Sequence, residues 1–178
     1  RNGINYDTSD PTLVQDDYFR YKEQIYALYA DYSREFSERF SMQLGLRMEH
    51  TRTTGISEAK DTEDKHDYTR LFPTVYLLYS PTDGHALNFS FSNRISRPSQ
   101  NMVNPFPFYQ NKYTYACGRE DLKPSYTYNA ELGYTLKNNF NVSAYYSYSD
   151  DVFFQVVDLD AETNVTSFLW ENFMQTHA

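Results

Sequence analysis

The chain has 178 residues, 18 of them Tyr and 13 Phe, with a mean hydropathy of −0.74 and a net charge of −8 at pH 7. It carries no basic cluster to displace counterions from phosphates, which excludes nucleic acid as a partner. No run approaches the ~18 apolar residues of a transmembrane helix, yet a membrane β-barrel stays open, because its lipid-facing and lumen-facing residues alternate and cancel in the average.

The sequence starts at Arg1 with neither an initiator Met nor a signal peptide, so processed, excerpted or truncated material is expected. Residues 1–17 read as the end of an extracellular loop, and 18–178 as one incomplete barrel domain. A first strand is expected near 18–32 with an ambiguous phase: Ile25, Ala27 and Tyr29 are apolar, and so are Tyr26, Leu28 and Ala30. From Phe40 the phase becomes clean. Phe40, Met42, Leu44, Leu46 and Met48 alternate with Ser41, Gln43, Gly45, Arg47 and Glu49. Successive strand side chains point to opposite faces, so this segment has one apolar and one polar face; a helix would mix the two sets.

The split recurs downstream. Val75, Leu77 and Tyr79 give a weaker version against Thr74, Tyr76 and Leu78. Leu87, Phe89 and Phe91 alternate with Asn88, Ser90 and Ser92. Tyr128, Ala130, Leu132 and Tyr134 alternate with Asn129, Glu131 and Gly133, and Val142, Ala144, Tyr146 and Tyr148 with Ser143, Tyr145 and Ser147. The segments 40–52, 125–137 and 140–157 meet or exceed the ~9–11 residues of a tilted membrane strand, against ~5–6 for an ordinary one.

Connections alternate in length. Short turns are expected at 33–39, 80–85 and 137–139; long polar links at 51–67 and 96–124; and a hairpin at 158–164 before a last strand near 165–173. Short turns on one rim and long loops on the other is the outer-membrane pattern, with the short rim periplasmic. Tyr68, Tyr79, Tyr126 and Tyr148 sit toward segment ends, where barrels carry aromatic girdles. The expected fold is therefore all-β, an antiparallel up-and-down meander of about seven long strands. An odd count with open edges in lipid leaves backbone groups unsatisfied, so the wall is expected to continue in a larger barrel.

Specific residues carry a family resemblance. Gly45-Leu46-Arg47-Met48-Glu49, Leu71-Phe72-Pro73-Thr74, Arg94-Ile95-Ser96-Arg97-Pro98, Asn104-Pro105-Phe106, and Gly118 through Leu122-Lys123-Pro124 resemble, in order and spacing, the barrel of TonB-dependent receptors of the Bacteroidota type. One departure is Arg119-Glu120 after Gly118, where that family usually reads Gly-Asn-Pro before Leu-x-Pro. The resemblance implies a bacterial outer-membrane location and a barrel of about twenty-two strands closed by a plug. It also implies energy coupling through TonB, and import of a scarce nutrient such as a metal chelate, oligosaccharide or peptide. Plug, TonB, outer-membrane lipid and an unidentified ligand are the implied partners, and no cofactor is expected.

No catalytic signature is present, and no enzyme activity is expected. Arg47, Glu49, Arg94 and Glu131 fall on the lumen-facing set. Arg94, Arg97, Asn104, Phe108, Tyr109, Tyr113 and Tyr115, with Phe106, are the ligand-binding candidates, because aromatic and amide groups at a barrel mouth can stack on a sugar or an aromatic chelate. The simpler alternative is a loop stiffened by Pro98, Pro105 and Pro107 whose aromatics pack on one another. The acidic run 58–67 and the alternating oxygens of Asp158, Asp160, Glu162 and Asn164 resemble cation loops only loosely, since both lack the ligand-loop Gly. Cys117 is the single cysteine, so the chain can form no internal disulfide. Two other functions compete with the transporter: a soluble Tyr-rich β-sandwich that binds carbohydrate, with shorter strands, and an outer-membrane barrel enzyme, which needs a Ser/His/Asp cluster not assembled here.

Overall fold

A computed structural model describes residues 19–57, 62–137 and 139–177, and the expected loop at 1–17 lies outside them. Seven long strands and a short hairpin form one sheet. The long strands are β1 (Phe19–Ser37), β2 (Phe40–Ser57), β3 (Thr62–Tyr79), β4 (His85–Ser96), β7 (Ser125–Leu136), β8 (Phe140–Asp160) and β9 (Val165–His177). Between β4 and β7 stand α1 (Gln100–Val103), β5 (Phe108–Asn111) and β6 (Thr114–Cys117). The strand order is β1-β2-β3-β4-β7-β8-β9-β6-β5, all antiparallel except the β6–β9 pair. The sheet is not closed.

Register carries the alternation from strand to strand. Leu28 pairs Met48, Ala30 pairs Leu46 and Tyr32 pairs Leu44. Leu44 in turn pairs Val75, and Met42 pairs Leu77. Phe89 then pairs Leu77 and Leu132, and Leu132 pairs Ala144. The apolar residues of all these strands thus share one continuous face. The ambiguous phase of β1 is fixed by its partner: Tyr26, Leu28, Ala30 and Tyr32 join the apolar face, while Ile25, Ala27 and Tyr29 lie on the other.

Among the described residues nothing packs on this face. Leu28 is 66% exposed, Leu132 54% and Val142 52%, and the buried hydrophobic residues among those described are only Phe72, Val103, Leu122 and Tyr126. A sandwich buries such a face under a second sheet, whereas the described residues form one sheet. Water does not tolerate an apolar surface of this extent on a lone domain, whereas lipid solvates it.

The apolar band has clear borders. It runs from Phe40 to Met48 in β2, about eight strand steps, or ~20 Å of height at barrel tilt. Above it the same face turns polar: the Asp67 carboxylate meets Arg52 Nε and His50 Nε2, each at 3.2 Å. Rings gather at both borders. Phe36–Phe40 (5.6 Å), Phe40–Tyr79 (6.4 Å) and His85–Tyr134 (5.9 Å) line the short-turn rim. Tyr26–His50 (6.3 Å), Tyr128–Tyr148 (6.0 Å) and Tyr148–His177 (5.0 Å) line the other.

Three expected connections differ in extent. The turn expected over 33–39 is tighter, since β1 runs to Ser37. The link expected over 51–67 is mostly strand, paired from Thr51↔Tyr68 to Ser57↔Thr62. Its polarity reflects strands that rise beyond the lipid, where β-branched Thr51, Thr53, Thr54 and Ile56 favour the extended backbone and charged side chains meet water. The acidic run therefore lies partly in β3, with 58–61 outside the described residues. The link over 96–124 is folded, and holds α1, β5 and β6.

Candidate functional site

The polar face and residues 97–124 form the candidate site. At the start of this segment, Gln100–Val103 makes a single helical turn, after which the Asn104 amide N–H donates to the Gln100 carbonyl (3.0 Å). Asn104 Oδ1 accepts the Phe106 N–H (3.1 Å), an Asx turn that redirects the chain before two prolines. The end of the segment returns to this corner: Gly118 N–H donates to Asn104 O and Arg119 N–H to Met102 O, each 2.8 Å. A Cβ at Gly118 would overlap the Asn104 carbonyl and stand 2.6 Å from Met102 O, so only glycine lets the two backbones meet. Val103 and Leu122 are buried there.

The hairpin of β5 and β6 then extends past β7 and β8 to β9. Thr114 to Cys117 run parallel to Thr166 to Leu169, and Thr166 N–H donates to Tyr113 O (2.7 Å). Asn172 of β9 clamps the return. Its Oδ1 accepts the Lys123 N–H (2.9 Å), and its Nδ2 donates to Lys123 O (3.0 Å) and Asp151 O (2.7 Å). Asp151 has φ +52°, at the point where β8 leaves β7 after the Tyr126↔Asp150 pair. Beyond it, β8 and β9 rise as a hairpin with β6 and then β5 at its edge, a four-stranded sheet above the apolar band.

Arg97 anchors the opposite side. Its Nη2 meets Glu49 Oε2 at 2.6 Å and Thr51 Oγ1 at 3.1 Å, and its Nε lies 3.4 Å from Glu23 Oε1. Glu49 is 6% exposed and Thr51 is fully buried. Glu49 also meets Arg47 Nε at 3.3 Å, and Arg47 lies over the Phe72 ring at 4.8 Å. Outside the band, Arg119 forks onto Asp121 (2.6 and 3.1 Å) and holds that carboxyl below its ordinary range. The Asp160 carboxyl is likewise lowered, by the Thr163 hydroxyl and by the Glu162 and Thr163 amides that it accepts from, so its oxygens cap a turn.

The sequence candidates divide into two groups. Arg97 and Asn104 are engaged in holding the segment together. Tyr109 and Tyr115 face each other across the hairpin at 5.5 Å, while Phe108 (48%) and Tyr113 (62%) stand out toward solvent. Arg94 is exposed on the polar face, opposite Thr127 in register. Asn172, Glu23 and Thr51 matter to the site and went unread in the sequence, because an isolated polar residue in a strand gives no sign of a partner tens of positions away. Among the described residues no three His, Cys, Asp or Glu side chains gather as a metal site, and no helix is long and apolar enough to cross a membrane.

Comparison with known proteins agrees with this geometry. The model of the outer membrane protein beta-barrel family matches residues 2–178. The hemophore receptor HasR of Serratia marcescens, solved as a double mutant with its hemophore HasA and heme, superposes at a TM-score of 0.68 and 12% identity, over 87% of this chain and 30% of that one. The siderophore receptor PirA of Pseudomonas aeruginosa gives 0.54 and 12%, over 88% of this chain and 38% of that one. The chain thus spans about a third of the length of these receptors. No curated protein matches it.

Proposed function

The chain belongs to the outer membrane protein β-barrel family, and on that premise we propose that it supplies wall and extracellular loop to a receptor that imports a nutrient through the bacterial outer membrane with energy from TonB. Its fold is that of the barrel of TonB-dependent receptors. The observation that carries the reading is the sheet formed by the described residues, whose unpacked apolar face is ~20 Å tall, near the ~25 Å apolar band of membrane barrels, and is bordered by rings on both rims. On the other face, Gln43, Asn88, Ser90, Asn129, Glu131 and Ser147 offer a hydrated lining suited to a plug and to a passing polar solute.

The cargo is a metal chelate, an oligosaccharide or a peptide, met first by Phe108, Tyr109, Tyr113 and Tyr115 at the mouth, with Arg94 below them. Flat aromatic rings stack equally well on a sugar face or a planar chelate. Arg97 and Asn104 serve this surface by holding it in place.

Growth tests this directly. A strain lacking the gene is grown with heme, a ferric siderophore mixture or a polysaccharide as sole source of iron or carbon, with and without TonB. Loss of growth on one class, equal to the loss without TonB, supports import. Unchanged growth on all three and on a peptide mixture as sole nitrogen source, with the protein present in the parent's outer membrane, contradicts it.

A further inference from the structure

The motifs that carry the family resemblance come from distant parts of the chain and meet at one place. Arg47 and Glu49 belong to the first, Phe72 and Pro73 to the second and Arg97 to the third, while Asn104, Gly118 and Leu122 shape the segment that follows. The reason for their meeting is a break in the wall. β3 and β4 pair only from Thr74↔Ser92 to Tyr79↔Leu87. Pairing stops at Pro73, which has no N–H to give. Above that level, among the described residues, the β1–β3 block and the β4–β9 block share no backbone ladder.

Side chains bridge the break instead. Arg97 leaves the end of β4 and reaches Glu49 and Thr51 of β2 and Glu23 of β1. Arg70 of β3 lies over the Tyr126 ring of β7 at 4.9 Å. Arg47, Glu49, Arg97 and Glu23 form a chain of alternating sign, at 3.3, 2.6 and 3.4 Å. From Arg97 the segment 97–124 runs to the far flank, where the four β6–β9 pairs and the Asn172 clamp hold it. It is anchored on both blocks.

We propose that residues 97–124 are a fixed strap tying the two blocks of the wall together at the extracellular rim, with Arg97 as the positioning residue that seats it. The planar guanidinium is suited to this, since it can face two carboxylates at once. Without it, the buried Glu49 loses its closest partner, a costly state for a carboxylate removed from water. The β8–β9 hairpin above Asp151 then stands without its brace, and an isolated two-stranded hairpin is marginal in water. The strap stays seated during import, and the aromatic hairpin keeps one position over the mouth.

The test is hydrogen exchange by mass spectrometry on the full-length receptor in lipid nanodiscs, comparing wild type with Arg97→Gln. The expected result is exchange about tenfold or more faster in 63–72 and 93–124, with 74–79 and 87–92 unchanged. Arg97→Lys, which keeps the charge and reaches one carboxylate, falls between the two. Unchanged exchange in Arg97→Gln overturns the strap, as does acceleration spread equally into 74–79 and 87–92. Should Arg97→Gln fail to assemble, Glu23→Gln removes the outer carboxylate alone and speeds the same segments several-fold; no change there overturns the proposal equally. The inference rests on the barrel reading, whose own failure shows separately, as free exchange of wild-type residues 40–48 in lipid, and would overturn both.

Discussion

Replacing Leu44 by Arg places a guanidinium at mid-height of the apolar band. Leu44 lies four residues from Phe40 and four from Met48, so it sits ~10 Å from either border at barrel tilt. Its neighbours on that face are Tyr32 in β1 and Val75 in β3, which offer no carboxylate. At that depth the side chain cannot snorkel fully to water. A lipid-facing Arg at the midplane costs ~2–4 kcal/mol, equivalent to about 30- to 900-fold in the folding equilibrium. Met48→Arg, at the border beside His50, should cost ~0–1 kcal/mol. Gln43→Arg, on the opposite face between Ser33 and Tyr76, should cost little, because its charge meets the hydrated lumen. The assay is urea titration of the receptor in lipid vesicles, read by the heat-modifiable shift of the folded barrel on a gel. Equal destabilisation by Leu44→Arg and Gln43→Arg would refute the assignment of faces, and a larger cost at Met48 than at Leu44 would refute the assignment of depth.

Three further outcomes are expected. Gly118→Ala forces a Cβ against the carbonyls of Asn104 and Met102. It should cost ~1–3 kcal/mol of local stability, read as faster protease cleavage within 97–124 and no change in barrel assembly. Asn172→Ala removes the hydrogen bonds to Lys123 and Asp151; a loss of ~1–3 kcal/mol should appear as faster amide exchange at 119–125. Asp121→Asn breaks the fork with Arg119 at a site exposed enough that the pair contributes under ~1 kcal/mol. Because the folded Asp121 carboxyl is lowered, its contribution is complete above the ordinary value of 3.8 and fades as pH falls through the depressed folded value. The wild-type advantage in protease resistance should therefore be full at pH 7 and vanish at lower pH.

The wall was readable in the sequence because a period of two, repeated over strands long enough to cross lipid, arises in few folds besides a membrane barrel. Phe40 to Met48 and Leu87 to Phe91 show this without help from their neighbours. β1 was not readable alone: Ile25, Ala27 and Tyr29 are as apolar as Tyr26, Leu28 and Ala30, and only pairing with β2 sets its phase. Residues 51–57 and 62–67 resemble a loop in sequence because a strand that has left the lipid is polar on both faces and loses its period. The site was half legible. The aromatic content of 108–115 marked a surface, and Tyr109 and Tyr115 do come together. Arg97 stood out as a charge near the mouth, but its partners Glu49 and Glu23 lie 48 and 74 positions away, where no local pattern reaches. The parallel seating of β6 on β9 had no sequence signal at all, since four residues are too few for a period.

A site-directed spin-label scan along β2 in lipid vesicles, with Cys117 first replaced by Ser, tests the membrane wall most directly. A lipid-facing sheet gives oxygen accessibility that peaks at positions 40, 42, 44, 46 and 48. A water-soluble nickel reagent then reaches 41, 43 and 45, and the even positions turn water-accessible at His50 and Arg52. Loss of the alternation, or water access at Leu44 and Leu46 equal to that at Gln43 and Gly45, would contradict the wall.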